Sequence, residues 1–166
     1  FGIVMQNDFL FSDTILENIR FGREISQDDI EKAIQISQAY DFIMSFPEGL
    51  NHVLSQKATN ISGGQKQRLL IARALANHPE ILILDDSSSA LDYKTDANLR
   101  KAILQNLKDT TSIIVTQRVS SVMNADLIIV LEEGEIIGMG NHRDLLNTCE
   151  VYKEISESQI GGSFID

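Results

Sequence analysis

The run Ile81-Leu82-Ile83-Leu84 constrains the fold more than any other stretch of this chain. Consecutive aliphatic residues without a polar break predict a fully buried strand, the kind found where helices cover both faces of a parallel sheet. The run ends in two carboxylates, Asp85 and Asp86. Twenty positions ahead of it, Ile61 opens a second conspicuous stretch, Ser62-Gly63-Gly64-Gln65-Lys66-Gln67-Arg68, which reads as a Gly-Gly turn opening a helix.

Around these markers, strands and helices alternate. Phe1–Met5 reads as a strand running into a loop at Gln6-Asn7-Asp8. Thr14–Arg20 is helical, and Ser26 is placed to cap a helix over Asp28–Tyr40 with acids in its first turn. Phe42–Phe46 and Pro47-Glu48-Gly49 form a short element and turn, and Asn51–Asn60 an irregular polar loop. The helix begun at Ser62 reaches about Ala76, and Pro79 stops that region. Tyr93–Leu107 is a helix and Ser112–Val115 a second apolar strand. Asp126–Leu131 and Glu135–Gly138 make a hairpin around Glu132-Glu133-Gly134. Asn141 caps His142–Leu146, and a last amphipathic helix leads to a flexible tail at Gly161-Gly162-Ser163. The alternation predicts an α/β fold with a largely parallel sheet and a mostly helical insertion in its first half.

The chain's 166 residues suffice for one domain with a real core. A formal net charge of −10 disfavours non-specific nucleic-acid binding, which needs Lys and Arg to neutralise phosphates. A single cysteine, Cys149, leaves no internal disulfide framework and suits a reducing compartment. No apolar run approaches the ~20 residues that cross a bilayer. The chain opens in mid-strand without an initiator methionine, which predicts a piece of a longer protein.

Ser62-x-x-Gln65 is a capping box in its own right: Ser62 accepts from the Gln65 N–H while the Gln65 side chain reaches back. A cap alone gains nothing from two glycines in the first turn, which cost roughly 1 kcal/mol each in helix propensity. Close approach of a ligand to the backbone would explain them. The free N–H groups and partial positive charge of a helix N-terminus suit phosphate. Asp85 and Asp86 are either a metal-binding strand end or two solvated acids.

In this order and at this spacing, the two stretches resemble the signature motif and the Walker B strand of ATP-binding-cassette (ABC) ATPases. The resemblance runs over essentially all of the chain, as the last two-thirds of such a domain. It implies a partial P-loop NTPase (RecA-like) core with an inserted helical subdomain, residues 8–76, followed by the remaining core over 77–166. It implies that Ser62, Gly63 and Gly64 contact the γ-phosphate of an ATP held by a partner subunit, with Gln65 supporting the loop. Asp85 would hold Mg²⁺, directly or through water. Asp86 stands where the family normally has the Glu that activates the attacking water, and its carboxylate is one methylene shorter. A displacement of ~1 Å there costs on the order of a hundredfold in rate, roughly 2.7 kcal/mol.

Ser87-Ser88-Ser89-Ala90-Leu91-Asp92 resembles the D-loop, in which Asp92 contacts the other nucleotide site, caps the following helix, or does both. In Thr116-Gln117-Arg118-Val119-Ser120, Gln117 stands where the switch motif usually has His; it can donate to phosphate but carries no proton or charge. Gln6 matches the Q-loop glutamine, which reaches toward Mg²⁺ and the attacking water. Phe9–Ile19 resembles the exporter-type version of this region, so exposed Phe9 and Phe11 suit contact with coupling helices, or else pack the helical insertion. No Gly-x-x-x-x-Gly-Lys-Ser/Thr loop occurs, so the main cradle for the β- and γ-phosphates is missing from the sequence. The chain alone should bind ATP poorly.

The resemblance implies an exporter half-transporter at the cytoplasmic face of the cell membrane, with a transmembrane domain upstream in the same polypeptide. Its second half-transporter would be a different chain, because an intact signature beside Asp86 and Gln117 fits the degenerate half of a heterodimer; the alternative is a homodimer. Two further alternatives are a soluble ABC ATPase acting on nucleic acid or ribosomes, and a module that closes on ATP without hydrolysis.

Overall fold

The structure, a computed structural model, describes residues 1–161. By internal contacts the chain divides into two compact units, Phe1–Val115 and Thr116–Asp166.

The first unit is built on a parallel sheet whose strands lie in chain order: β1 (Gly2–Val4), β2 (Ile81–Asp85) and β3 (Thr111–Val115). Between β1 and β2 come α1 (Ile15–Arg20), α2 (Gln27–Ile36), α3 (Tyr40–Met44) and α4 (Gly63–Leu75). The crossover from β2 to β3 is α5 (Tyr93–Asn106). Helix α4 is the centre of the core. Its residues Leu69 to Leu75 are all buried, and it packs on α1, α2 and β1.

Helix starts follow local chemistry. Thr14, Ser26, Ser62 and Asp92 each accept the N–H three residues on, at 3.1, 3.1, 3.2 and 2.9 Å. At the Asp29 end of α2, Ser26 Oγ and His78 Nε2 bond the carboxylate at 2.6 and 2.7 Å.

Two expectations need correction. The helix expected over Asp28–Tyr40 ends at Ile36, and α3 starts afresh at Tyr40. Gln38 takes a left-handed backbone, φ 60°, and its carbonyl accepts Arg68 Nη1 of α4 at 2.7 Å. A charge-assisted tertiary bond, rather than Gly or Pro, turns the chain. The second correction concerns β2, which is not fully buried. Leu82 and Leu84 point into the core, while Ile81 and Ile83 are half-buried. Ile83 pairs with Ile3 on one side and Ile113 on the other, both exposed. That apolar row marks a sheet face open within the described residues.

The Asn51–Asn60 loop is irregular, as expected, but ordered. The Asn60 carboxamide accepts the Ser55 N–H at 2.9 Å and donates to the Val53 carbonyl at 3.1 Å. Leu54 is fully buried.

The second unit begins with α6 (Val119–Val122), continues into the antiparallel pair β4 (Ile128–Glu132) and β5 (Glu135–Gly140), and closes with α7 (His142–Thr148) and α8 (Glu150–Gly161). Glu133 and Gly134 at the hairpin tip have φ 48° and 86°. Left-handed values at both turn positions are those a two-residue hairpin loop needs. Asn141 caps α7 by accepting the Asp144 N–H at 3.0 Å. Leu145, Cys149 and Tyr152 pack with Val119 and Ile128 as this unit's core. The expected flexible tail falls on Gly161, the last described residue, and on Gly162 and Ser163, which lie outside the described residues.

Candidate functional site

Parallel strands deliver their loops to one edge of the sheet, where open α/β sheets bind ligands. Val4 pairs with Leu84, so Gln6 follows β1 at the end where β2 delivers Asp85 and Asp86. Gln6 is exposed in a turn. Asp85, the last residue of β2, pairs with Val115 of β3, and the Asp86 N–H donates to the Val115 carbonyl at 2.9 Å. Asp86 itself has φ 46°, a region that Asp visits more readily than longer side chains. The chain then bends back, with the Ser89 hydroxyl donating to the Asp86 carbonyl at 3.0 Å.

The mouth of α4 is the second part. Both halves of the capping box form: Gln65 N–H donates to Ser62 Oγ at 3.2 Å, and Ser62 N–H to Gln65 Oε1 at 2.8 Å. The cap thus uses the N–H of Ser62 and Gln65. The N–H groups of Gly63 and Gly64, in the first turn of a helix, have no intrahelical acceptor. They form an anion-ready mouth on a helix of 13 residues. Gly64 has a further reason to be glycine. A Cβ there would sit 3.1 Å from the Ala90 carbonyl oxygen, whereas one on Gly63 would meet only the Ala90 methyl at 3.8 Å. The Ser62–Gln65 stretch therefore lies against the Ser87–Asp92 segment, and intrachain packing accounts for part of the Gly-Gly pair.

Asp92 is the N-cap of α5, and Thr95 engages both of its oxygens: its N–H at 2.9 Å on Oδ1 and its hydroxyl at 2.8 Å on Oδ2. The Thr95 N–H, then the hydroxyl, hold the carboxyl below the usual aspartate range. The cap's stability is present above the ordinary carboxylate pKa and is lost as pH falls through the lowered folded value. Asp92→Ala is expected to lower the unfolding midpoint at neutral pH. Asp92→Asn, which keeps an acceptor oxygen, should cost much less and remove that acid-dependent part. Unfolding midpoints of the three proteins at neutral and acid pH check both points.

Gln117, the second residue of the second unit, is exposed. Its carbonyl accepts Gln159 Nε2 of α8 at 2.7 Å. Phe9 and Phe11 are exposed, 58% and 44%. They stack edge to face at 5.2 Å, and Phe21 joins Phe11 at 5.5 Å. Beneath them the buried Arg73 places its guanidinium 4.6 Å from the Phe21 centroid. The aromatic residues are thus neither core nor isolated, and Phe11 and Phe21 line a shallow groove with Asp13, Glu17 and Asn18. Phe21, Arg73 and Gln159 went unnoticed in the sequence.

As for a metal, no three His, Cys, Asp or Glu side chains cluster among the described residues. A Mg²⁺ bound through phosphates asks for only one or two protein carboxylates, and the strand-end Asp85 fits that need.

Residues 1–89 match the family model for ABC transporters. The chain belongs to the ABC transporter family. It is 48% identical over 161 residues to the uncharacterized ABC transporter ATP-binding protein YfiB of Bacillus subtilis, covering 96% of this chain and 28% of that protein. It is 41% identical over 159 residues to a Staphylococcus aureus protein provisionally named a multidrug export ATP-binding/permease protein, again 28% of its length. A solved structure, a bacterial Atm1-family ABC exporter with ATP bound, superposes with a TM-score of 0.90 at 35% identity over 96% of this chain and 28% of that one. The chain therefore spans less than a third of the length of these relatives. Its α/β fold is that of the ATPase part of an ABC exporter, the P-loop NTPase fold. No helix among the described residues is long and apolar enough to cross a membrane.

Proposed function

We propose that the chain is part of the ATP-binding and ATP-hydrolysing motor of an ABC exporter, working at the cytoplasmic face of the cell membrane beside membrane-spanning segments of the same polypeptide. The observation that carries this reading is the mouth of α4, where the capping box leaves two glycine N–H groups for an anion in a chain of the ABC family. In the assembled protein, Ser62, Gly63 and Gly64 bind the γ-phosphate of an ATP held by a partner subunit, and Gln65 holds their loop. Asp85 and Gln6 hold the Mg²⁺ that neutralises charge on the phosphates. Asp92 anchors the D-loop. Phe9, Phe11 and Phe21 offer a docking surface to the membrane-spanning part.

The site built on this chain's own strand end hydrolyses slowly. Asp86 and Gln6 orient water there, but Asp86 falls short of the reach of Glu and Gln117 carries no charge. An intact signature beside a weak site fits one half of a heterodimer, in which this chain completes the partner's site. Having no Gly-x-x-x-x-Gly-Lys-Ser/Thr loop, the chain by itself holds ATP weakly.

Ser62→Arg tests the role of the signature. The substitution removes the cap and fills the helix mouth, so steady-state ATPase of the assembled pair should fall at least tenfold, since a preorganised donor at a reacting phosphate is worth about that or more. The melting temperature should move only by the lost cap, about 1 kcal/mol. Unchanged ATPase would mean that this helix mouth faces no working nucleotide.

A further inference from the structure

The segment Thr116–Val119 is held by side chains rather than by regular structure. Thr116 Oγ1 accepts the Arg118 N–H at 3.0 Å. Helix α6 has no side-chain cap of its own, since Arg118 at its N-cap position makes no such bond. Its first N–H, on Val119, is one of the donors that a helix start leaves unpaired. Gln159, some forty residues on in α8, supplies the acceptor: Oε1 takes the Val119 N–H at 2.9 Å. The same carboxamide donates Nε2 to the Gln117 carbonyl at 2.7 Å. One amide thus satisfies a donor and an acceptor two residues apart, a two-point match that a single hydrogen bond cannot give. Both Gln159 bonds hold the backbone just after the Gln117 Cα, the Thr116–Arg118 bond bridges across it, and the Gln117 side chain is exposed.

We infer that Gln159 is a positioning residue, which sets the direction in which Gln117 presents its carboxamide to the terminal phosphate of ATP. The inference rests on the reading of Gln117 as the switch residue. Helix α8 thereby becomes the support of the switch, and a displacement of α8 would release Gln117 without touching the nucleotide. On that reading Gln117 serves the phosphate that ATP has and ADP lacks. Loss of its alignment should therefore weaken ATP and leave ADP alone, whereas general damage to the fold would weaken both.

Gln159→Glu is the sharpest variant. It is isosteric and still accepts from Val119, but its carboxylate repels the Gln117 carbonyl. Gln159→Leu, which removes both bonds without adding charge, is the companion should the first unfold. The assembled transporter would be labelled with a photoreactive ATP analogue on this polypeptide, with MgATP and MgADP as competitors. Both Gln159 variants are expected to lower the preference for ATP over ADP about fivefold, the worth of one aligned hydrogen bond, with ADP affinity held even where the lost bonds lower the melting temperature. In a Gln117→Ala background the same variants should add nothing. If Gln117→Ala lowers the preference but the Gln159 variants leave it within about twofold, Gln159 positions nothing and the switch reading stands. If Gln117→Ala itself leaves the preference unchanged, the switch reading fails, and the role of Gln159 fails with it.

Discussion

Arg73→Ala is expected to destabilise the protein by about 3 kcal/mol, the largest single effect on stability that the contacts of this chain imply. Arg73 sits in the last turn of α4 with only 8% of its surface exposed. Its guanidinium donates to the Asn18 carbonyl at 2.8 Å, the Phe9 carbonyl at 3.0 Å and Asn18 Oδ1 at 3.2 Å. Asp8 lies 3.8 Å away as a partly exposed counter-charge. Asn18 is itself 1% exposed and donates to the Phe11 and Thr14 carbonyls. Truncating Arg73 would strand the acceptors it serves and leave a void under Phe21. Each stranded buried acceptor costs about 1–3 kcal/mol, less what water recovers. Arg73→Lys should recover only part, because an ammonium cannot reproduce the planar fork or stack on Phe21 in the same way. Denaturant unfolding of the full-length protein measures both. A loss below about 1 kcal/mol for Arg73→Ala would mean that water replaces the guanidinium at little cost.

What could be read from the sequence, and what could not, divides by range. The helix starts at Ser26, Ser62, Asp92 and Asn141 were readable because a cap is a bond to a residue three positions on. The hairpin around Glu133 and Gly134 was readable because its turn is decided by two adjacent residues. The end of α2 was not, because the bond that turns the chain at Gln38 comes from Arg68. Arg73 stayed hidden because a helical pattern does not say that a lone Arg faces carbonyls of α1 and of the loop before it. The run Ile81–Leu84 shows that a strand is apolar on both faces but not what covers each; here Ile81 and Ile83 look onto a face left partly open.

The candidate site divides in the same way. The helix opened by Ser62-Gly63-Gly64 and the strand-end carboxylates Asp85 and Asp86 are contiguous stretches, so their places in the fold could be read from the sequence. The packing of Gly64 against the Ala90 carbonyl and the Gln159 bonds to the Gln117 segment join residues far apart in the chain. No local spacing announces them.

The second large effect concerns the chemistry. Asp86→Glu combined with Gln117→His is expected to raise hydrolysis at this chain's own site about a hundredfold, roughly 2.7 kcal/mol in the barrier. The methylene added by Asp86→Glu moves the carboxylate toward the attacking water, and the imidazole introduced by Gln117→His can carry the positive charge that Gln cannot. Asp86 takes a left-handed backbone, which Glu adopts somewhat less readily, so part of the gain is offset. Either exchange alone should give less than the pair, because water and phosphate must be aligned together. The most direct measurement is single-turnover phosphate release from ATP bound at this site in the assembled transporter, with the partner's site blocked. Slow release from the unaltered protein and a rise of about a hundredfold in the double variant are expected. Fast release from the unaltered protein, or no gain in a double variant that still binds ATP, would contradict the assignment of Asp86 and Gln117 to a weakened hydrolytic site.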